Sequence, residues 1–130
     1  MKIVIESKIE QIATVEQLID NLAEQVNIEG DVYANILVGV VEAVSNAIVH
    51  GNLSDASKSV TIDYVLTNNN VLFTISDEGN GFNYYSVPDP TLPENLEKED
   101  GRGIFLMNSL ADEVVYNDKG NEVSLKFYIN

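Results

Sequence analysis

The chain of 130 residues is 45% hydrophobic and 22% charged, the size and mix of one globular domain spanning residues 1–130. Seven Lys and Arg against 21 Asp and Glu leave a net charge of −14, which repels a nucleic-acid backbone, while the lack of cysteine and the single histidine, His50, exclude disulfides, thiolate metal sites and His clusters. Met1-Lys2-Ile3-Val4-Ile5-Glu6 meets charge too early for a signal peptide and no apolar run reaches the length of a membrane span, so a cytoplasmic chain with neither nucleic-acid nor membrane partner is expected.

In chain order, residues 2 to 6 alternate weakly and read as a first strand. From Ile9 to Val26, apolar residues at Ile9, Ile12, Val15, Leu18, Ile19, Leu22 and Val26 recur at spacings of three and four, which predicts an amphipathic helix. A second helix is expected with Asp31 as N-cap, a stripe through Tyr33, Leu37, Val40, Val41, Val44 and Ile48, and a stop at Gly51. Ser59 to Thr67 and Val71 to Asp77 alternate as a hairpin around Asn68-Asn69-Asn70. Ile104 to Leu110 reads as a short helix, and Val114 to Asn117 with Val123 to Ile129 as a second hairpin turning at Asp118-Lys119-Gly120. The order β-α-α-β-β-α-β-β, with hairpin-paired strands and too few helices to cover two faces, predicts an α+β sandwich: one mixed, mostly antiparallel sheet with its helices on one face.

Between Gly79 and Gly101 lies a stretch too long for an ordinary connection in so small a domain. It holds all three prolines, Pro88, Pro90 and Pro93, and four of the eight glycines, Gly79, Gly81, Gly101 and Gly103, stand at its ends. The stretch reads as a lid over about residues 83–100, with a plain surface loop as the alternative.

Three segments have the composition of a nucleotide site. Glu42 and Asn46 are four apart on the second helix and share a side of it; they are either ordinary helix polarity or oxygen donors facing a cleft. Asp77-Glu78-Gly79-Asn80-Gly81-Phe82 follows an apolar strand, where a carboxylate can accept from an adenine amine and glycines let backbone approach the ring, unless the segment is only a turn. Gly101-Arg102-Gly103 opens the short helix, where free amides suit phosphate oxygens, unless the glycines are punctuation. Arg102 is the only arginine. P-loop, dinucleotide-fold and protein-kinase signatures are absent.

Taken in order, Glu42-Ala43-Val44-Ser45-Asn46-Ala47-Ile48-Val49-His50-Gly51, Asp77-Glu78-Gly79-Asn80-Gly81 and Gly101-Arg102-Gly103-Ile104-Phe105-Leu106-Met107 resemble the N, G1 and G2 boxes of the GHKL ATPase superfamily. Within it the chain looks most like the anti-sigma-factor serine/threonine kinases of the RsbW and SpoIIAB type. The resemblance implies a Bergerat-type ATP fold in which Asn46 holds Mg²⁺, Asp77 binds the adenine amine, and Gly79 and Gly81 line the base. It further implies that Gly101 and Gly103 bring amides to the phosphates, that Glu42 acts as general base or orients a seryl hydroxyl, and that Arg102 offsets charge on the transferring phosphoryl group. His50 is expected to pack or cap the helix end. The implied partners are a sigma factor and a STAS-type antagonist protein, with a possible homodimer. Asn121 and Glu122 follow Gly120 where the family commonly has threonine, a departure at one adenine contact. The alternatives are a nucleotide-binding module without kinase activity and the catalytic domain of a sensor histidine kinase. The latter is weakened because no helical hairpin offers an acceptor histidine.

Overall fold

The computed structural model describes residues 1–79 and 107–129. Five strands lie among them: β1 (Lys2–Glu6), β2 (Ser59–Leu66), β3 (Asn70–Ser76), β4 (Glu113–Tyr116) and β5 (Glu122–Tyr128). They form one sheet in the order β1-β2-β3-β5-β4, and each neighbouring pair is antiparallel. The period of two seen in the sequence sets its faces. Val60 and Ile62 of β2, Phe73 and Ile75 of β3, and Leu125 and Phe127 of β5 point inward and are buried. Thr61, Thr74, Ser124 and Lys126 alternate with them on the other face, where the Thr74 and Ser124 hydroxyls are 3.3 Å apart across the strands. Both expected hairpins form. Leu66 pairs with Val71 around Asn68-Asn69, and the β4–β5 turn closes on Gly120 at φ 80, a left-handed conformation that glycine adopts without penalty.

Two helices cover the inner face. The first expected helix begins with a single 3₁₀ turn at Ile9–Gln11 and becomes α-helical as α1 (Ile12–Val26). It ends at Asn27, whose left-handed φ of 57 lets the Ile28 amide bond back to Ala23 O at 2.9 Å. The second helix, α2 (Gly30–Asn46), starts after Glu29, so Asp31 is not its N-cap. Asp31 lies inside the first turn, where its charge meets the positive end of the helix dipole. The buried stripe of α2 is Ile36, Gly39, Val40, Ala43 and Val44, shifted toward smaller residues than its larger apolar side chains suggest. Tyr33, Leu37 and Val41 are only half-buried. The reason is proximity: a Cβ on Gly39 would stand 3.1 Å from the ring of Phe127, so α2 lies directly on β5. Helix α1 packs on α2, and α2 on β5 and β3.

One expectation needs amending. The continuous helical stretch Gly30–Gly51, which contains an 18-residue window with a mean hydropathy of 1.7, is long and apolar enough by length and composition to cross a membrane. Here it is a core helix, its Val40, Val44 and Ile48 fully enclosed between the sheet and α1. Of the expected third helix, Met107–Leu110 is helical, with Met107 buried, and residues 104–106 lie outside the described residues. So do the proposed lid and its Gly81, Gly101, Arg102 and Gly103.

Candidate functional site

The end of α2 and the end of β3 meet, and glycines make the meeting possible. After Asn46 the helix widens into a π turn, Ala47–Gly51, closed by the Asn52 amide donating to Ala47 O at 2.8 Å. Such widened turns recur at functional sites. The turn delivers Gly51 against Asp77: a Cβ on Gly51 would stand 2.3 Å from the Asp77 carboxylate carbon, and one on Gly79 would stand 2.0 Å from Gly51 O. Neither position can carry a side chain while the two segments keep this contact. Gly79 is itself buried and donates its N–H to Asp77 Oδ1 at 2.8 Å.

Asp77 is held from three directions. Its own N–H donates to Asn121 O at 2.9 Å, and its carbonyl accepts from Asn121 Nδ2 at 3.3 Å, which ties the end of β3 to the turn before β5. Asn121 thus occupies the departure noted in the sequence and takes hold of the Asp77 backbone. The Asp77 carboxylate is half-buried. Burial pushes its carboxyl above the usual range, against the opposing effects of the Gly79 N–H and of the Lys119 and Lys58 charges. Among the described residues one oxygen of this carboxylate accepts a backbone hydrogen bond, and a carboxylate held partly out of water has the chemistry to accept from a polar ligand.

Glu42 and Asn46 stand one turn apart on α2, both half-buried. The Asn46 Nδ2 is buried without a hydrogen-bond partner, an uncommon state for a core amide and one that a ligand would relieve. Among the described residues no group of three His, Cys, Asp or Glu could hold a metal. A divalent cation here would take few protein oxygens and the rest from phosphates and water, which is the habit of Mg²⁺ and fits a lone carboxamide donor. His50 lies half-buried inside the π turn, at the helix end where the sequence placed it.

Of the eight site candidates, Asp77 and Gly79 lie where the π turn meets the end of β3, and Glu42 and Asn46 stand on α2, the helix that leads into that turn. Gly81, Gly101, Arg102 and Gly103 lie outside the described residues. Sequence reasoning placed Gly51 at the helix stop that closes the first box and Asn121 at the departure from the family pattern, but not their contacts with Asp77, which join distant segments.

Residues 5–127 match the family model of the histidine kinase-like ATPase domain. The chain belongs to this family. It is 38% identical over 104 residues to the anti-sigma F factor of Geobacillus sp. (strain WCH70), an alignment covering 76% of this chain and 71% of that one. It is 33% identical over 100 residues to the serine-protein kinase RsbW of Staphylococcus aureus (strain JH9), across 71% of this chain and 63% of that kinase's length. Among solved structures, the RsbU and RsbW domains of a Mycobacterium tuberculosis protein superpose with a TM-score of 0.63 at 16% identity, covering 98% of this chain and 31% of that one. At that identity the likeness speaks for the fold: the α+β arrangement of this histidine kinase-like ATPase domain, helices on one side of an antiparallel sheet, is shared.

Proposed function

We propose that the chain is an ATP-dependent serine/threonine protein kinase and anti-sigma factor, acting in the cytoplasm on a STAS-type antagonist and sequestering a sigma factor. The observation that carries the reading is the seat of Asp77: a half-buried carboxylate locked against Gly51 and Gly79 at the end of the helix that bears Glu42 and Asn46. The names of the similar proteins, an anti-sigma F factor and a serine-protein kinase, support the same class of activity.

In this reading Asp77 accepts from the exocyclic amine of adenine, and the bare backbone at Gly79 lies along the base, with Gly81 beyond it. Asn46 turns its carboxamide oxygen to Mg²⁺, and its buried Nδ2 is left to donate to an oxygen of the nucleotide. Bound Mg-ATP supplies the phosphoryl group. Glu42 accepts the proton of the attacking seryl hydroxyl or fixes its direction, and Gly101, Gly103 and Arg102 are the residues offered to the phosphate oxygens. The whole chain, residues 1–130, is read as one such domain, able to pair as a homodimer.

The experiment is transfer of radiolabelled phosphate from ATP to the STAS-type proteins encoded by the same genome. Label on a serine or threonine of one of them is the expected result. Tight nucleotide binding with no transfer to any of them would reduce the protein to a nucleotide-binding module.

A further inference from the structure

Asn52 is fully buried although it is polar and directly follows the π turn. Its side-chain amide is used from both ends. Nδ2 donates to Ser7 Oγ at 2.7 Å and to Ser59 O at 2.9 Å, and Oδ1 accepts from the Glu78 N–H at 2.8 Å. A carbonyl can only accept and a backbone N–H can only donate, so the amide has one possible orientation. Ser7, also buried, passes the connection on by donating to Lys58 O at 2.8 Å. Asn52 therefore joins the end of β1, the start of β2 and the loop after β3.

The backbone beyond it is forced into place. Leu53 and Ser54 both adopt left-handed conformations, φ 54 and 55, and Leu53 is left 77% exposed. Two such residues in succession, neither of them glycine, persist only where the surroundings impose them. What they accomplish is to send Asn52 inward, under Glu78. The Glu78 carboxylate in turn accepts from the Ser59 N–H, so this residue is gripped through both its backbone and its side chain. Glu78 sits between Asp77 and Gly79, the two residues that contact Gly51.

We propose that Asn52 is a positioning residue for base selectivity: its carboxamide oxygen fixes the Glu78 amide, and through it sets where the Asp77 carboxylate meets the base. The inference rests on the adenine-nucleotide reading above. It divides the side chain by role, with Nδ2 serving the fold through Ser7 and Ser59, and Oδ1 serving the site through Glu78. Adenine and guanine differ where the carboxylate is aimed, the first offering an amine and the second a carbonyl. A loop free to shift would lose discrimination between them faster than it loses the triphosphate.

The test compares ATP and GTP affinity by calorimetry in the full chain, with thermal melting alongside. Ser7→Ala removes an Nδ2 partner and the hydroxyl bond to Lys58 O but leaves Oδ1 on the Glu78 N–H; it should lower the melting temperature and leave the ATP-to-GTP ratio within about three-fold of the parent. Asn52→Ala should lower that ratio by about ten-fold or more. Asn52→Asp retains an oxygen toward Glu78, so it should recover most of the ratio while remaining less stable. A folded Asn52→Ala with the parent ratio, or a ratio that falls equally in Ser7→Ala, overturns the proposal. If Asn52→Ala does not fold, amide exchange of Glu78 in the unaltered protein decides: protection without nucleotide is expected, and exchange at the rate of a free loop amide overturns it. Should the unaltered protein bind neither nucleotide, the nucleotide reading fails first and this one with it. A parent that prefers ATP with variants ranked otherwise removes this inference alone.

Discussion

At Asp77 a carboxylate held half out of water accepts from one backbone N–H, and burial raises its pKa in spite of Lys119 and Lys58. The folded chain therefore holds this proton more tightly than the unfolded chain does. Its contribution to stability is complete below the ordinary carboxylate pKa and is lost as pH rises through the raised folded value. At neutral pH the ionised group is a standing cost. Asp77→Asn should accordingly raise the melting temperature at pH 7.5, with the gain closing at about pH 3 and below, where Asp is largely protonated in both states. The same substitution should weaken ATP by roughly 1 to 3 kcal/mol, since a charged acceptor becomes a neutral amide. Melts at the two pH values and calorimetry at the higher one check both halves. Glu42 makes a different demand: Glu42→Gln should keep Mg-ATP affinity but slow phosphate transfer by about 100-fold or more, and full transfer activity would return Glu42 to ordinary helix polarity. Asp77, Gly79, Glu42 and Asn46 were legible because each sits in a local pattern, a turn after an apolar strand or a spacing of four on a helix. Asn52 was not, and neither were the contacts made by Gly51 and Asn121. Each acts on a residue far away in the chain, and nothing in its own neighbourhood marks the contact.

Among the elements, β1, both hairpins and the first helix follow from periodicity alone, because half-buried strands and amphipathic helices write their burial into alternation. The second helix is less plainly written. Its inward face mixes Gly39 and Ala43 with Ile36, Val40 and Val44, so the larger apolar side chains, of which Tyr33, Leu37 and Val41 are only half-buried, mark the buried side in part. Gly39 explains this, and it supplies a prediction: a side chain there must displace the fully buried ring of Phe127, which packs edge-on to Phe73 with 6.3 Å between ring centroids. Gly39→Val should destabilise the fold by about 1 to 3 kcal/mol despite the better helix propensity of almost any residue over glycine. Chemical denaturation measures this, and a neutral result would mean that α2 can lift from β5. The α-to-π change after Asn46 has no periodic signature at all. It arises where the helix must turn to bring Gly51 to β3, a need set by tertiary contact.

For the whole molecule, a net charge of −14 on 130 residues means that compaction works against self-repulsion. Raising NaCl from about 20 to 500 mM should therefore raise the melting temperature by a few degrees, as screening shortens the reach of that repulsion. A flat response would show that local ion pairs, such as Lys126 with Glu113 at 3.2 Å, already balance it. The sheet order has a consequence of another kind. Strand β3 pairs with β5, from Ser76 opposite Glu122 to Asn70 opposite Tyr128, so the chain leaves the sheet after β3, re-enters it as the edge strand β4 and turns back as β5 between the two. The entropy of closing that excursion grows only logarithmically, and doubling its length costs about 0.6 kcal/mol. Deleting or adding several residues between 83 and 100 should leave the melting temperature nearly constant while phosphate transfer changes. The pairing of Ser76 with Glu122 thus holds the two ends of the excursion together whatever its length.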